Sequence, residues 1–252
     1  MTKIRYFTSF DDEMVTLKPA QGSADRMASI TGQSSDRSRR LIAAGARWFG
    51  QLVIQPWRQY HFIGAEKLRQ CTGGCFLFVN HTQPVGDAFM PFVLGQSRPV
   101  YVVAAAANLA VPVLGRLIPR GGGLILPSHP RGLHAFGQTV AQAIADGAIV
   151  TLYPEAHVWP FATQIRPFVT GAFHYPVAAK APVFVQTNTY QPGFWGRPRI
   201  TAYLDGPFWP DPSWSRQVQR QQLAQQVHAT MCWRAQANTV EPIQYRRREK
   251  AQ

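Results

Sequence analysis

The segment NHTQPVGD, Asn80 to Asp87, places a histidine six residues before an aspartate, directly after the apolar run FLFV. An unperturbed imidazole titrates at about pH 6.5, so His81 suits proton abstraction near neutrality. A carboxylate bonded to one ring nitrogen fixes the tautomer, steadies the imidazolium and leaves the other nitrogen to take a proton. On one continuous helix, residues six apart lie about 240° from each other. Pro84 and Gly86 interrupt the segment, so a loop can fold Asp87 back to His81. From spacing alone a second reading stands beside this one, a histidine bonded in a turn with Asp87 capping the next helix.

Two further segments carry candidates. YPEAHVWP, Tyr153 to Pro160, also follows an apolar run, AIVTL, and offers Glu155 and His157. Glu155 is a candidate for substrate contact or a structural carboxylate accepting backbone N–H groups, and His157 reads as a turn residue beside Trp159. GRLIPRGGG, Gly115 to Gly123, joins Arg116 and Arg120 to a glycine run. Amides freed by glycine beside a guanidinium suit a phosphate, so Gly115 and Arg120 are candidate substrate contacts. Arg166, in IRPF, is another anion contact.

Acids are scarce around these segments. Between Lys67 and Leu204 there are only three carboxylates, Asp87, Asp146 and Glu155, against ten Lys or Arg. The 252-residue chain carries a formal charge of +13, which favours anionic partners without choosing among them. No groove-reading or base-stacking motif is present, so nucleic acid is not expected. Cys71 and Cys75 are four apart with no second pair, so they read as ordinary thiols and no metal site is expected.

Apolar runs alternating with helical periodicities must position the candidates. Strands are expected at FLFVN, VYVVAAA, AIVTLY, PVFVQTN and RITAYLDG. Helices are expected over DAFMPFVLG, 129–146, 171–180 and 217–235. That alternation predicts a layered α/β fold with a largely parallel central sheet flanked by helices. Residues 1–36 read as a loose polar leader, 37–60 as an amphipathic helix able to lie in a membrane interface, 61–240 as the main domain and 241–252 as a basic tail. In the amphipathic helix Leu41, Ala44, Trp48, Phe49 and Leu52 share one face, with Arg40, Arg47 and Gln51 on another, and the same pattern also fits a helix packed on the domain with its arginines in water. There is no signal-like apolar stretch at the N-terminus and no eighteen-residue apolar run, so a cytoplasmic, peripheral protein on the inner face of the cell membrane is expected.

Taken in order, these segments resemble the blocks of the lysophosphatidic acid (1-acylglycerol-3-phosphate) acyltransferase family. Its Asn-His followed by Asp is matched by Asn80, His81 and Asp87. Its apolar stretch ending in Arg is matched by GRLIPR and Arg120, its aromatic-Pro-Glu by Tyr153, Pro154 and Glu155, and its Pro opening a strand by Pro182. Pro167, Phe168 and Gly171 to Phe173 match the segment downstream of the third block. The resemblance covers about residues 75–190. It implies a glycerolipid-acyltransferase-like fold and transfer of a fatty acyl group from a coenzyme A or acyl carrier protein thioester to a lysophospholipid hydroxyl, in phospholipid biosynthesis. It also implies His81 as base, Asp87 as its partner, Arg120 on the acceptor's phosphate and an anionic membrane surface as partner. No cofactor is implied beyond the thioester co-substrate. Two departures stand out. Five residues separate His81 from Asp87 where the family has four, and Ala156, His157 and Val158 replace Gly-Thr-Arg after Glu155, so Arg166 or Arg120 must supply the missing cation. Rival readings are a non-catalytic lipid-binding module of the same fold and a metal-dependent hydrolase using His81, Asp87, His129 and His134.

Overall fold

The computed structural model describes residues 3–15, 36–107, 114–127 and 129–248. Seven strands form one sheet in the order β2 (Tyr60–Ile63), β8 (Arg199–Phe208), β7 (Val183–Gln191), β3 (Cys75–Val79), β6 (Ile149–Leu152), β4 (Val100–Ala104), β5 (Gly123–Ile125). All neighbours are parallel except β7 and β8. The sheet is therefore largely parallel, as expected, but β2 and β8 run against the other five strands.

The central strands are buried on both faces, which is why they read as unbroken apolar runs rather than as alternations. Successive side chains still point to opposite sides. Phe76 and Phe78 of β3 pack with Val150 and Leu152 of β6 against helices α5 (Pro130–Ala145), α6 (His174–Ala179) and α7 (Arg216–Ala235). Leu77 and Val79 face the other layer, built from α1 (Asp36–Phe49), α2 (Ala65–Gln70) and α3 (Gly86–Gly95). Helix α4 (Leu114–Gly121) sits beside β5 and completes the rim.

The expected amphipathic helix forms, but it is not uniform. A π-helical stretch, Gly50–Ile54, follows α1, and a last turn, Gln55–Trp57, takes in Pro56. Gly50 lets this run approach α3 closely, since a Cβ there would lie 2.8 Å from the Val93 side chain. Leu41, Trp48 and Leu52 are exposed as one outer stripe. Phe49 departs from that face and packs on Phe89, with ring centroids 5.0 Å apart.

The chain ends are more ordered than the expectation of a loose leader and a basic tail. β1 (Lys3–Phe7) pairs in parallel with β9 (Ile243–Arg247). Phe7 and Tyr245 then clamp Trp159, with centroids 4.9 and 4.8 Å away. Each segment is too short and polar to mark itself as a strand, and only the partner 240 positions away satisfies its backbone. The rest of the expected leader, 16–35, lies outside the described residues. Among those described, no helix is long and apolar enough to cross a membrane.

One ion pair ties the closing helix to the sheet. Arg234 of α7 donates twice to Asp205 of β8, at 2.8 and 2.7 Å, and Lys67 adds a bond at 3.4 Å. Burial acts to raise the Asp205 carboxyl, but the bonds from Arg234 outweigh it and hold the group below its ordinary value. A carboxylate depressed in this way stabilises the fold above its unfolded pKa, and the contribution is lost as pH falls through the native one. Arg234→Met should therefore cost about 1–2 kcal/mol in urea unfolding at neutral pH. The deficit should shrink at pH values low enough to protonate Asp205, and an equal deficit in acid would mean that packing, not charge, is responsible.

Candidate active site

β3 and β6 are adjacent and parallel, with Phe78 opposite Leu152. The loops that leave them, NHTQPVGD and YPEAHVWP, emerge side by side at one edge of the sheet. Reactive groups collect at such carboxyl edges because the strand-to-helix turns open there.

His81 and Asp87 meet. The imidazole Nδ1 lies 2.8 Å from Asp87 Oδ2, and the same oxygen accepts the Gln83 backbone N–H at 2.9 Å. The residue that is extra relative to the family spacing is absorbed in the turn at Pro84–Val85, just before Asp87 enters the first turn of α3. Desolvation raises the Asp87 carboxyl, opposed by its bond to His81. The carboxylate commits Nδ1 as a donor, which leaves Nε2 to work as a base. The His81 side chain is 17% exposed, enough to meet a substrate.

Tyr153 was not singled out as a site residue from sequence. Its ring stacks on the imidazole, with centroids 4.2 Å apart, and its hydroxyl donates to the Asp87 carbonyl at 2.5 Å. Burial, reinforced by the charge of Asp87, pushes the phenol well above its ordinary value and keeps it a donor. A buried polar network behind the loop was also missed. Asn80 bonds the backbone of Asn188 in both directions, at 3.1 and 2.8 Å. Gln83 Nε2 donates to the Tyr190 hydroxyl, which donates to Thr82 Oγ1, both at 2.7 Å. The signal for it was the unbroken polar run Gln186 to Gln191 that follows the apolar Val183 to Val185 in one strand.

Glu155 and Arg166 require correction as substrate contacts. Glu155 accepts the His81 backbone N–H at 2.9 Å, the Arg166 N–H at 2.8 Å and the Arg166 guanidinium at 3.0 Å. Arg166 also donates to the carbonyl of His157 and lies over the Trp159 ring at 4.8 Å. Both side chains are almost wholly buried, so they bind each other and the loop rather than a ligand.

The glycine run is corrected too. Gly121 to Gly123 are packing residues, not a phosphate cradle. A Cβ on Gly121 would lie 2.6 Å from Ile42, one on Gly122 2.5 Å from the Val100 carbonyl and one on Gly123 2.2 Å from Ile118. Gly122 also has φ 113°, which glycine alone tolerates easily. Of Gly115 only the helical backbone of α4 is described. Arg120 lies exposed on α4, one residue before Gly121.

His81 and Asp87 open into a cavity of about 530 Å³. Its walls are mostly apolar: Ile42, Ala46 and Phe49 from α1, Phe89 and Phe92 from α3, Leu117 and Ile118 from α4. A His–Asp pair at the mouth of such a slot suits a substrate with a polar reacting centre and a long apolar tail. Among the described residues no three His, Cys, Asp or Glu side chains gather as metal ligands. His129 stands exposed before α5, and His134 faces Gln138 on that helix.

The family model for acyltransferases matches residues 59–187, just over half of the chain. Among solved structures the chain is similar to the 1-acyl-sn-glycerophosphate (LPA) acyltransferase PlsC from Thermotoga maritima. Identity is 13%, the alignment covers 86% of this chain and 90% of that one, and the TM-score is 0.58. At that identity the likeness concerns the fold. A comparison with curated proteins returns no match.

Proposed function

This chain belongs to the acyltransferase family, and on that premise we propose that it moves a fatty acyl group from a coenzyme A or acyl carrier protein thioester to a lysophospholipid hydroxyl. The observation that carries the reading is the His81–Asp87 contact of 2.8 Å at the mouth of an apolar cavity.

In this reading the acyl chain lies in the cavity, with its thioester carbonyl beside His81. Nε2 takes the proton of the acceptor hydroxyl as that oxygen attacks the carbonyl. The tetrahedral oxyanion collapses and expels a thiolate, which recovers the proton from the imidazolium. Asp87 stabilises the imidazolium throughout. No covalent acyl-enzyme and no metal is needed, because the histidine supplies the base and the donor supplies an activated acyl group. Arg120, exposed on the helix whose Leu117 and Ile118 line the cavity, is the candidate for the acceptor's phosphate. The exposed stripe of Leu41, Trp48 and Leu52, with Arg40 and Arg47 on the same helix, suits peripheral contact with an anionic membrane.

Free-thiol release from acyl thioesters of graded length, with a panel of lysolipid acceptors, tests both halves of the reading. Ala46→Phe, which narrows the slot, should cut kcat/KM for long acyl donors by about tenfold or more while sparing short ones. Equal losses at every chain length would remove the cavity from the mechanism, and no thiol release with any acceptor would favour a lipid-binding module.

A further inference from the structure

The edge of the sheet that carries His81 also carries an aromatic surface for which acyl transfer has no use. β7 runs parallel to β3, so its carboxyl end lies at the edge where β3 delivers His81. The connection from β7 to β8 turns there. At its tip Phe194 and Trp195 are 74% and 90% exposed. Trp195 has φ 56°, a left-handed backbone that bulky residues rarely adopt. Strain that holds an indole out in water is not explained by packing.

The turn is tied down. Phe194 N–H donates to Gln59 Oε1 at 3.1 Å, and Gln59 Nε2 returns a bond to the Phe194 carbonyl at 3.4 Å. Gln59 follows Trp57 and Arg58, at the end of the amphipathic helical run. The guanidinium groups of Arg58 and Arg197 lie over the Trp57 ring, 4.1 and 5.3 Å from its centroid. Arg58 also reaches Phe161 at 5.3 Å, and Phe161 N–H bonds the carbonyl of Thr82, next to His81. The cluster therefore borders the catalytic loop.

Its charge is one-sided. The sequence holds no Asp or Glu between Asp36 and Glu66, where five arginines fall, and none between Glu155 and Asp205, where four Lys or Arg fall. Exposed tryptophans on segments whose charged residues are all basic fit a lipid interface, where rings sit at headgroup level and guanidinium groups pair with phosphates.

We propose that Trp57, Arg58, Phe194, Trp195 and Arg197 form an anchor that seats the active-site edge on an anionic phospholipid bilayer. The inference rests on the reading that the acceptor is a membrane lipid, but its deciding readout, vesicle binding, needs no turnover. The full chain is cosedimented with phosphatidylcholine vesicles and with phosphatidylcholine–phosphatidylglycerol vesicles. Wild type should prefer the anionic vesicles. A Phe194→Ser, Trp195→Ser double variant should bind them about tenfold more weakly, and Arg197→Glu should lose about as much, with reduced salt sensitivity. The double variant should keep wild-type thermal stability and wild-type thiol release with water-soluble, short-chain substrates. Unchanged vesicle binding in the double variant would overturn the proposal. So would equal wild-type binding to neutral and anionic vesicles, or a wild-type dimer that the double variant dissolves. If the binding results hold while no acceptor yields thiol, the anchor stands and the acyltransfer reading falls.

Discussion

His81→Ala should lower kcat for acyl transfer by a factor of about 10² to 10⁴, the usual contribution of a positioned acid–base group. The fold should survive, at a cost of about 1–3 kcal/mol for the hydrogen bond that the buried Asp87 loses. The loop does not depend on the imidazole for its shape, because main-chain groups hold it. His81 N–H bonds Glu155 at 2.9 Å, the His81 carbonyl accepts from Trp159 N–H at 3.0 Å, and the Thr82 carbonyl accepts from Phe161 N–H at 2.9 Å. Asp87→Asn is the companion variant. It keeps the volume and an acceptor for the Gln83 N–H but removes the charge that steadies the imidazolium, so its loss should approach that of His81→Ala. Asp87→Ala is less informative, since it also frees the buried Gln83 amide. Because burial raises the Asp87 carboxyl, its anionic form is lost at a higher pH on acidification than that of an exposed aspartate. The acid limb of the rate profile should therefore lie above the ordinary carboxylate range, as a property of the coupled pair. A His81→Ala protein that turns over at the wild-type rate would end the proposed mechanism.

Arg166→Ala should destabilise the fold by about 3–5 kcal/mol, the cost of leaving a buried charge without its partner. Activity should fall with it, because Glu155 holds the His81 backbone and the Arg166 backbone at once. This result separates the structural role from the anion-binding role that the resemblance implies. An arginine gripping the acceptor's phosphate would, on removal, raise KM and leave the melting temperature alone. Arg166→Lys should recover only part of the stability, since an ammonium cannot reach Glu155 and the His157 carbonyl with one planar group. Glu155→Gln combined with Arg166→Met should be milder than Arg166→Ala alone, because no charge is then stranded.

The chemistry-bearing residues were legible because each follows an apolar run that only a buried strand explains. FLFV and IVTL mark two strands, so Asn80 to Asp87 and Tyr153 to Pro160 had to leave the sheet as loops. The partner of Glu155 was not legible. His81 is 74 positions away from it, and no local pattern says that an acid will bond that amide rather than a ligand. The glycine run misled for the opposite reason. Absent side chains serve equally for cradling an anion or for close packing, and only the nearness of Ile42, Val100 and Ile118 decides between them.

By itself the sequence determined the layered α/β class, five of the strands and four of the helices from FLFVN onward, though not α4 or β5, and the two loops that carry His81, Asp87 and Glu155. Hydrophobic period and turn residues act over a few positions, so these features are encoded locally. Tertiary structure alone decided the antiparallel placement of β8, the pairing of Lys3–Phe7 with Ile243–Arg247, the mutual burial of Glu155 and Arg166, and the meeting of Trp57 with Phe194. Each of these joins segments distant along the chain, where the packing of the whole molecule, rather than the preference of either segment, sets which groups touch.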